Sequence, residues 1–485
     1  GGFLVAAARR IARRLAQLRA GEDEPTPEAV QHALRDVVGR CIYGVDLNDL
    51  AAELAKVSLW LEALEPGKPL GFLDARIRVG NSLIGTTPAL LAAVVPDTAF
   101  KEITGDDKAW ASTVRKQNKS ERSGQAGLFD LTGEVTDVHA LAAERAVVLA
   151  PADHIRRTRA QAAAWAAYEH SDALRRARLH ADAWTAAFVW PLRPDVPPPP
   201  TSDRLAAIAA NPGNPALAAT VAEVQRLAEE YRFFHWHLEF PEVMRDERQG
   251  GFTCLLGNPP WNRVKLQEES YFKQYAPEIA DAPNASKRKK MIADLATTDP
   301  ALHVQYLADL RRAEATSHFL GQSDRYPLGG VGDINTYPVF ADLMRQSIAP
   351  TGRLGVILQS GLVSGFTYRK FVQHLLSTKT LVAFLGMENE EKVFPDVHNM
   401  TKFGLLTVSG VDAPVEQAVF VANARQPEQL LDSERRYRLT AAEIEAINPN
   451  SLTVPAFRWA KDAEVTAAIH AAAPVLVNKE TGENP

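Results

Sequence analysis

The first 85 residues alternate between helical and strand-like patterns, and this alternation restricts the possible fold more than any other feature. Residues 3–19 place apolar side chains on one helical face and arginines on the other. Residues 40–48 (RCIYGVDLN) predict a buried strand, residues 48–65 an amphipathic helix, and residues 76–85 (RIRVGNSLIG) a second strand and turn. The apolar positions of the amphipathic helix are Leu50, Leu54, Val57, Leu61 and Leu64. Helices and strands in this order, joined by short connections, predict a parallel sheet covered by helices.

The pattern changes between residues 86 and 235, where alanine and arginine dominate. Apart from a strand-like run at 146–149 the segment has no strand pattern, and we predict a mainly helical insertion. Its proline-rich stretch at 189–203 (VWPLRPDVPPPPTSD) predicts a flexible joint, because prolines interrupt both helices and sheets.

Strand patterns return in the second half of the chain, between residues 236 and 412. We predict strands or helices in this order: a strand at 252–257, a basic helical stretch at about 264–320, a helix at 337–348, the turn APTG at 349–352, and strands at 353–360, 381–387 and 402–410. Past residue 412 the pattern weakens, and we interpret residues 413–485 as a connector. The predicted segments are therefore 1–85, 86–235, 236–412 and 413–485.

The composition gives the chain no general attraction to nucleic acid, because its formal net charge is −5 over 485 residues. Any DNA binding must therefore come from local basic patches. The two cysteines, Cys41 and Cys254, lie in apolar runs and are predicted to be core residues of a reduced, cytoplasmic protein, and no metal-ligand spacing occurs. No apolar run approaches the roughly 18 residues of a membrane span, so we expect no membrane partner.

The stretch LLGNPPW (255–261) carries the strongest chemical signal in the sequence. Prolines cannot donate to a sheet ladder, so the preceding strand ends here. The Asn258 side chain and the Pro259 carbonyl offer two acceptors for the two N–H groups of a planar exocyclic amine, and Trp261 offers a ring for stacking. Accepting both hydrogens keeps the lone pair of the nitrogen directed at an electrophile. The alternative is a strand-terminating turn with a core tryptophan.

Two features of the first segment suit a nucleoside cofactor. Asp46 lies where a strand ends and a helix begins, and an acid in this position commonly binds ribose hydroxyls. The same position suits the N-cap of the following helix, and both interpretations stand. Gly1 and Gly2 directly precede a helix, as in a Gly-rich loop whose backbone amides face a ligand.

The GNPPW sequence after FTCLL resembles the catalytic motif of the N6-adenine DNA methyltransferases, which use S-adenosyl-L-methionine. The resemblance implies a Rossmann-like α/β methyltransferase sheet with the helical insertion added, and double-stranded DNA as substrate. It assigns catalysis to Asn258, Pro259, Pro260 and Trp261, acting on an adenine that is flipped out of the duplex. The segment KVFPDVHNMTKF (392–403) resembles the one that supplies a second aromatic ring, which maps to Phe394. Core packing is the alternative for Phe394.

The same resemblance implies the cofactor contacts. GGF resembles the end of the cofactor motif, YGVDLN the strand that holds the ribose, and RVGNSLIG the segment that holds the cofactor adenine, where this chain has an asparagine instead of the usual acid. GDINTYPVF (332–340) matches a later core motif. The positions implied in cofactor binding are Gly1, Phe3, Asp46, Leu47, Asn81, Ser82 and Asn335.

The resemblance covers about residues 1–85 and 236–412 and is closest to the Eco57I-like methylases of bacterial restriction-modification and related phage-defence systems. In that group a target-recognition domain follows a connector like residues 413–485, and nuclease, helicase or other defence subunits are partners. All five methionines lie at Met244 or later and residue 1 is glycine, so we expect the sequence to be part of a longer protein. On its own we expect it to be inactive, since half of the cofactor loop would be missing.

One basic cluster follows the catalytic motif and is predicted to contact the DNA backbone. It comprises Lys287, Arg288, Lys289 and Lys290. Such contacts give affinity that depends on salt and not on sequence. The alternative is a solvated helix face.

Two other functions remain open on the sequence alone. Protein-glutamine methyltransferases act on a planar amide with a similar Asn-Pro-Pro motif that typically ends in tyrosine, whereas this chain has Trp261. A catalytically inactive methylase that serves as a DNA-binding scaffold is the second alternative. The replacement of an acid by Asn81 favours it, and the intact catalytic motif argues against it.

Overall fold

The structure is a computed structural model that describes residues 1–69, 71–125, 137–244 and 250–473, together with residues 475, 477 and 482. The chain divides into two compact units. The first contains Gly1–Arg245 and Ala293–Arg325, and the second contains Asp246–Ile292 and Tyr326–Pro485. Helices and strands occur in both, so the predicted mixed α/β class is confirmed.

We number helices and strands separately in chain order. The α-helices are α1 (Gly2–Ala20), α2 (Pro27–Arg40), α3 (Asp49–Glu62), α4 (Pro88–Ala92), α5 (Lys108–Gln125), α6 (Val138–Leu149), α7 (Ile155–Glu169), α8 (Asp172–Ala186), α9 (Ser202–Ala210), α10 (Ala218–Tyr231), α11 (Trp236–Glu239), α12 (Pro241–Met244), α13 (Glu268–Tyr275), α14 (Pro277–Ala280), α15 (Ala285–Thr298), α16 (Pro300–Gln322), α17 (Thr336–Ser347), α18 (Gly361–Ser364), α19 (Arg369–Ser377), α20 (Ala441–Ile447) and α21 (Ala460–Ala472). The strands are β1 (Gly44–Asp46), β2 (Ile77–Val79), β3 (Phe252–Gly257), β4 (Ile348–Gln359), β5 (Leu381–Glu388), β6 (Lys402–Ser409), β7 (Ala418–Ala424) and β8 (Tyr437–Leu439).

The first unit contains a small parallel sheet, as predicted from the alternating pattern. Strands β1 and β2 pair in register, with Gly44 beside Ile77 and Asp46 beside Val79. The core beside them forms between α1, α2 and α3. The buried residues of helix α1 in this core are all small, namely Ala8, Ala12 and Ala16, while Leu4, Val5 and Leu15 pack against it partly buried. Small buried residues let the neighbouring helices approach closely.

Helix α3 forms as predicted, but its leucine stripe lies on the exposed face. The buried residues are Ala52, Ala55, Lys56 and Leu59. The stripe of Leu50, Leu54, Val57, Leu61 and Leu64 is between 44% and 70% exposed. The pattern therefore predicted the helix correctly, while its neighbours determine which face is buried.

The described part of the predicted insertion is helical, and two details of the prediction are wrong. The strand-like run at 146–149 is the last turn of α6. The proline-rich stretch is packed and is no flexible joint: Trp190 is 2% and Leu192 1% exposed, and the Trp190 indole donates to the Pro197 carbonyl at 3.0 Å. Arg311 of α16 also donates to the Trp190 carbonyl, which fixes this stretch within the unit.

The second unit is built on a six-stranded mixed sheet with the order β3-β4-β6-β5-β7-β8. Strands β3 and β4 are parallel, β6 is antiparallel to both of its neighbours β4 and β5, and β7 is parallel to β5. Helices α17 and α19 cover it through apolar residues such as Tyr337, Met344, Phe371 and Leu375. The predicted strands in this half of the chain are confirmed.

Two predictions for the second unit are wrong. Residues 349–352 form no turn between a helix and a strand, because β4 already begins at Ile348 and carries them as an irregularity. Residues 413–485 were predicted to be a connector, but β7 and β8 in this segment complete the sheet, and Phe420 and Tyr437 belong to its core.

The cysteine prediction is also wrong. Cys41 follows the last residue of α2 and Cys254 lies in β3, at the edge of the described sheet, and both are exposed. Among the described helices, none has the combination of length and apolar composition needed to cross a membrane.

Candidate functional site

The end of β3 presents the Asn-Pro-Pro-Trp sequence. Strand β3 pairs with β4 up to Gly257, and the next donors to the ladder are removed by Pro259 and Pro260. Asn258 is exposed, Pro259 is buried, and Pro260 is exposed. The side-chain amide of Asn258 is therefore presented at the tip, while the buried proline ring fixes the backbone behind it.

The first residue of α17, Thr336, forms hydrogen bonds with the chain at this tip. The Thr336 hydroxyl donates to the Pro260 carbonyl. The Thr336 backbone N–H donates to the Asn262 carbonyl at 3.0 Å, and the Asn262 N–H donates back to the Thr336 hydroxyl at 3.2 Å. Pro260 and Asn262, the residues on either side of Trp261, are thus fixed by one threonine.

Sequence reasoning assigned a role to Asn335 and missed Thr336. Asn335 is the N-cap residue of α17, and its amide donates to the Asp333 carbonyl at 3.1 Å. It also pairs with Arg263 in an isolated antiparallel bridge, close after the Asn-Pro-Pro-Trp sequence. Asn335 therefore lies beside the motif, and its predicted contact with a cofactor stays a prediction.

Trp261 is half-buried in an aromatic cluster. Its indole N–H donates to the Ile357 carbonyl of β4 at 3.4 Å. Its ring lies 5.8 Å from Phe394 with the planes at 83°, and 5.8 Å from Phe403 with the planes at 31°. Trp261 and Phe394 therefore meet edge to face, and in this arrangement no slot for a base lies between them.

The loop that carries Phe394 is organised by a buried asparagine. Asn389 is 0% exposed; its side-chain oxygen accepts from the Phe394 N–H and its amide donates to the Phe394 and Val397 carbonyls, each at 2.9 Å. The loop has no backbone hydrogen bonds of a β-sheet, and the buried amide of Asn389 binds its backbone groups instead. Sequence reasoning missed Asn389, since its partners follow it within a stretch that has no periodic pattern.

The first unit contains a cavity of about 560 Å³ next to β1 and β2. It is lined by Asp46, Leu47, Asn48 and Asp49 from the turn after β1, by Asn81 after β2, by Glu230, Tyr231 and Arg232 at the end of α10, and by Arg312 and Thr316 of α16. Its volume lies within the range of small-molecule sites, roughly 300–1,000 Å³. Three of the predicted cofactor residues, Asp46, Leu47 and Asn81, line it together.

Asp46 is not the N-cap of α3. Asn48 takes that role, with its side-chain oxygen accepting from the Leu50 N–H at 2.9 Å and the Ala51 N–H at 3.3 Å. Asp46 is exposed at the cavity, and one of its carboxylate oxygens accepts from the Asn48 N–H at 2.8 Å. The helix-capping alternative for Asp46 is therefore wrong.

The turn after β2 is shaped by Asn81. Its side-chain oxygen accepts from the Leu83 N–H at 3.2 Å, and its backbone N–H donates to the Arg232 carbonyl at 2.7 Å. The Ser82 carbonyl accepts from the Trp236 indole at 3.0 Å. The side-chain oxygen of Asn81 is thus already used in one hydrogen bond within the turn. Ser82 contacts Trp236, beyond α10, and does not line the cavity.

The remaining predicted residues lie outside the cavity lining. Gly1 precedes α1 as its N-cap residue, and Phe3 in its first turn is 46% exposed. In α15, Lys287, Lys289 and Lys290 are exposed. The Arg288 side chain is only 16% exposed. It donates to the Ala280 carbonyl at 3.4 Å and lies 3.7 Å from the Glu269 carboxylate. The structure thus separates the lysines of the basic cluster from its arginine.

The chain is similar to known methylases. The family described as "Eco57I restriction-modification methylase" matches residues 40–290, just over half of the chain. No curated protein matches it. The solved structure described as "Structural basis underlying complex assembly and conformational transition of the type I R-M system" is 11% identical with a TM-score of 0.24, and the match covers 81% of this chain and 89% of that chain. The structure "ATP-dependent Type ISP restriction-modification enzyme LlaBIII bound to DNA" is 10% identical with a TM-score of 0.22, covering 90% of this chain and 32% of that chain.

Proposed function

Because the chain belongs to the Eco57I restriction-modification methylase family, we propose that it methylates the N6 atom of adenine in DNA, with S-adenosyl-L-methionine as the methyl donor. The observation that carries the proposal is the exposed amide of Asn258 on a fixed tip. The Thr336 contacts hold the backbone at Pro260 and Asn262, directly after the acceptors, so less of this backbone has to be ordered when a base binds.

In this proposal Asn258 and Pro259 act as acceptors. The side-chain oxygen of Asn258 and the carbonyl of Pro259 accept the two hydrogens of the adenine amine. The amine nitrogen then keeps its lone pair available to form a bond to an electrophilic methyl carbon. The bond between that carbon and its leaving group would break in the same step, and one proton of the amine would be released to solvent. Positioning supplies most of the acceleration, and no covalent enzyme intermediate is needed.

The residues around the cavity of the first unit fit a nucleoside cofactor. The Asp46 carboxylate would accept hydrogen bonds from ribose hydroxyls, and Asn81 and Leu47, which also line the cavity, would contact the attached base. When bound, S-adenosyl-L-methionine supplies a sulfonium methyl group, which is already a good electrophile. The volume of about 560 Å³ is sufficient for a ligand of this class.

Trp261 is proposed to stack on the flipped adenine. Stacking on an aromatic side chain stabilises an extrahelical base by roughly 1–3 kcal/mol, which offsets the cost of flipping of a few kcal/mol. Phe394 supports Trp261 edge-on in the present arrangement. For Phe394 to stack on the second face, the loop that Asn389 holds has to move. DNA is the proposed substrate, and nuclease, helicase or other defence subunits are the proposed partners.

The test is Asn258→Ala in the protein at its natural length, expressed in a methylation-deficient host whose DNA is read by single-molecule sequencing. We expect the wild type to place N6-methyladenine at one recurring sequence. Asn258→Ala should lose the modification while cofactor binding and the melting temperature persist, because the side chain is exposed.

Asn258→Asp is the matched variant, since a carboxylate keeps two acceptor oxygens at the same position and should retain measurable activity. Full methylation by Asn258→Ala would contradict the proposed role of the amide. Unmodified DNA with methylated glutamine in a protein acceptor would favour the protein-glutamine methyltransferase. DNA binding without any methyl transfer by the wild type would favour the scaffold.

A further inference from the structure

The helical insertion reaches the proposed cofactor cavity through Arg232, the residue that follows α10. Its guanidinium donates to both carboxylate oxygens of Asp49, at 2.8 and 3.0 Å, and to the Leu47 carbonyl at 2.8 Å. Its backbone carbonyl accepts from the Asn81 N–H at 2.7 Å. One residue therefore contacts the turn after β1 with its side chain and the turn after β2 with its backbone.

The backbone of Arg232 is in the left-handed region, with φ 54° and ψ 55°, which is uncommon for a residue other than glycine. This conformation ends α10 and turns the chain alongside residues 81–86. Phe233 pairs with Asn81 in a parallel bridge, and the Phe234 N–H donates to the Ile84 carbonyl at 2.8 Å. A left-handed residue commonly ends a helix, and here it directs the following residues along the turn after β2.

The approach of this segment to the second turn is close. A Cβ atom at Gly80 would lie 2.5 Å from the Phe234 ring, and one at Gly85 would lie 2.0 Å from the Phe234 carbonyl. Glycine at both positions permits the chain beyond Arg232 to lie directly against the turn. Contacts of Phe233 and Phe234 with residues 80–85 thus fix the position of Arg232 without involving its side chain.

We infer that Arg232 is a positioning residue for the cofactor, which holds the turn from Asp46 to Asp49 in its binding conformation and couples that turn to the insertion. The inference rests on the proposed function. By pairing with Asp49, Arg232 leaves Asp46 facing the cavity, and by binding the Leu47 carbonyl it fixes the residue between the two acids. A turn that is ordered before binding costs less conformational entropy when the ligand binds.

The pair is exposed, and this determines the size and the salt dependence of its effect. The side chains of Arg232 and Asp49 are 40% and 67% exposed. Exposed ion pairs contribute modestly and are screened by salt. We expect a loss of cofactor affinity of roughly fivefold when the arginine side chain is removed at low salt, and a smaller loss at high salt.

The informative variant is Arg232→Gly, because glycine suits the left-handed backbone and retains the carbonyl that binds Asn81. Cofactor affinity is measured in the protein at its natural length by isothermal titration with S-adenosyl-L-methionine at low and high salt, alongside the melting temperature. We expect weaker binding at low salt with an unchanged or higher melting temperature. Arg232→Lys keeps the charge without the two-pronged geometry and should restore part of the affinity.

Asp49→Asn and the double variant complete a thermodynamic cycle. If Arg232 acts through Asp49, the double variant binds the cofactor no more weakly than Arg232→Gly alone. Arg175→Ala is the matched control, since it removes an exposed arginine paired with Asp172 in the same unit, outside the cavity lining. Equal cofactor affinity of Arg232→Gly and the wild type would overturn the inference while leaving the proposed function intact. A wild type that does not bind S-adenosyl-L-methionine would overturn both.

Discussion

His237 of α11 is a buried titratable residue whose protonation is expected to change the stability of the first unit. It is 4% exposed, and burial lowers the pKa of its ring to about 3 from the ordinary 6.5. Its neighbour Glu239 is held by Arg78 and Arg178, at 2.8 and 3.1 Å. These arginines lower the pKa of the Glu239 carboxyl to about 2, so Glu239 keeps its charge until the pH falls to about that value.

The pH dependence follows from the direction of the His237 shift. The unfolded chain protonates this histidine below about pH 6.5, whereas the folded chain keeps it neutral. The associated stability is fully present above pH 6.5 and is lost as the pH falls from 6.5 toward 3. Between pH 7.5 and 5.5 we expect a loss of roughly 1 kcal/mol in the free energy of unfolding, measured by urea denaturation.

His237→Asn is the comparison, since its side chain does not titrate. Other buried histidines with lowered pKa values, among them His318, titrate in the same range, so the difference between the two proteins isolates His237. Glu239 does not interfere, because its stabilisation is lost only below about pH 4.5. An identical pH dependence for both proteins would show that His237 binds its proton over the same pH range in the folded and the unfolded chain.

At the scale of single residues, sequence reasoning found the groups with local signals and missed those with distant partners. Asp46, Asn81 and Asn258 stand at strand ends, which the chain order reveals. Thr336 contacts Asn262, 74 positions away in the sequence, and Arg232 contacts Asp49, 183 positions away. No periodic pattern encodes such contacts, so these residues became visible only in the folded chain.

At the scale of elements, α3 separates what periodicity predicts from what packing decides. Its sequence has helical spacing of apolar residues on one face and of alanines, with Leu59, on another. The closely packed alanines of α1 favour the second face, because small residues on both helices permit a short distance between their axes. The leucine stripe is left exposed as a consequence.

Two substitutions on α3, two positions apart, test this arrangement. Leu59 is 0% exposed and Leu61 is 70% exposed. We expect Leu59→Ala to lower the free energy of unfolding by about 2–5 kcal/mol, because it leaves a cavity in the core. Leu61→Ala serves as the control and should change it by less than about 0.5 kcal/mol. Urea denaturation measures both, and equal losses would mean that the stripe is covered in solution.

Strand β4 shows a second limit of prediction at this scale. The APTG sequence contains residues typical of turns, and a turn between helix and strand was the natural expectation. In the sheet, Phe252 pairs with Ile348 and Cys254 with Arg353, so two steps along β3 correspond to five along β4. The turn residues are accommodated as a bulge, because pairing with β3 resumes beyond them.

At the scale of the whole molecule, the alternating pattern and the long helical insertion were predictable, and the completion of the six-stranded sheet was not. Strand β8 has three residues, too few for a two-residue period to be recognised. Strand β7 lies between β5 and β8 in the sheet and is mostly buried, so it lacks the alternation of a half-exposed strand. Its partners are set by the sheet rather than by its own sequence.

The charge of the whole chain bears on its proposed DNA binding. The net charge of −5 disfavours unspecific attraction to DNA, so exposed local cations have to supply the phosphate contacts. Lys287, Lys289 and Lys290 are exposed near the start of α15, whereas the Arg288 side chain is bound to the Ala280 carbonyl. We therefore expect the three lysines, and not the arginine, to contact the DNA backbone.

Replacing Lys287, Lys289 and Lys290 together by alanine should weaken DNA binding to a similar degree for all sequences. If each lysine contacts one phosphate, the slope of log K against log salt becomes shallower by roughly 2 to 3, because fewer counterions are released. Fluorescence anisotropy over a salt series measures it. The matched control replaces Lys68, Lys379 and Lys461, three exposed lysines elsewhere in the chain, with the same change in net charge. An equal change of slope in both triple variants would mean that net charge alone governs binding, and the α15 lysines would then be a solvated helix face.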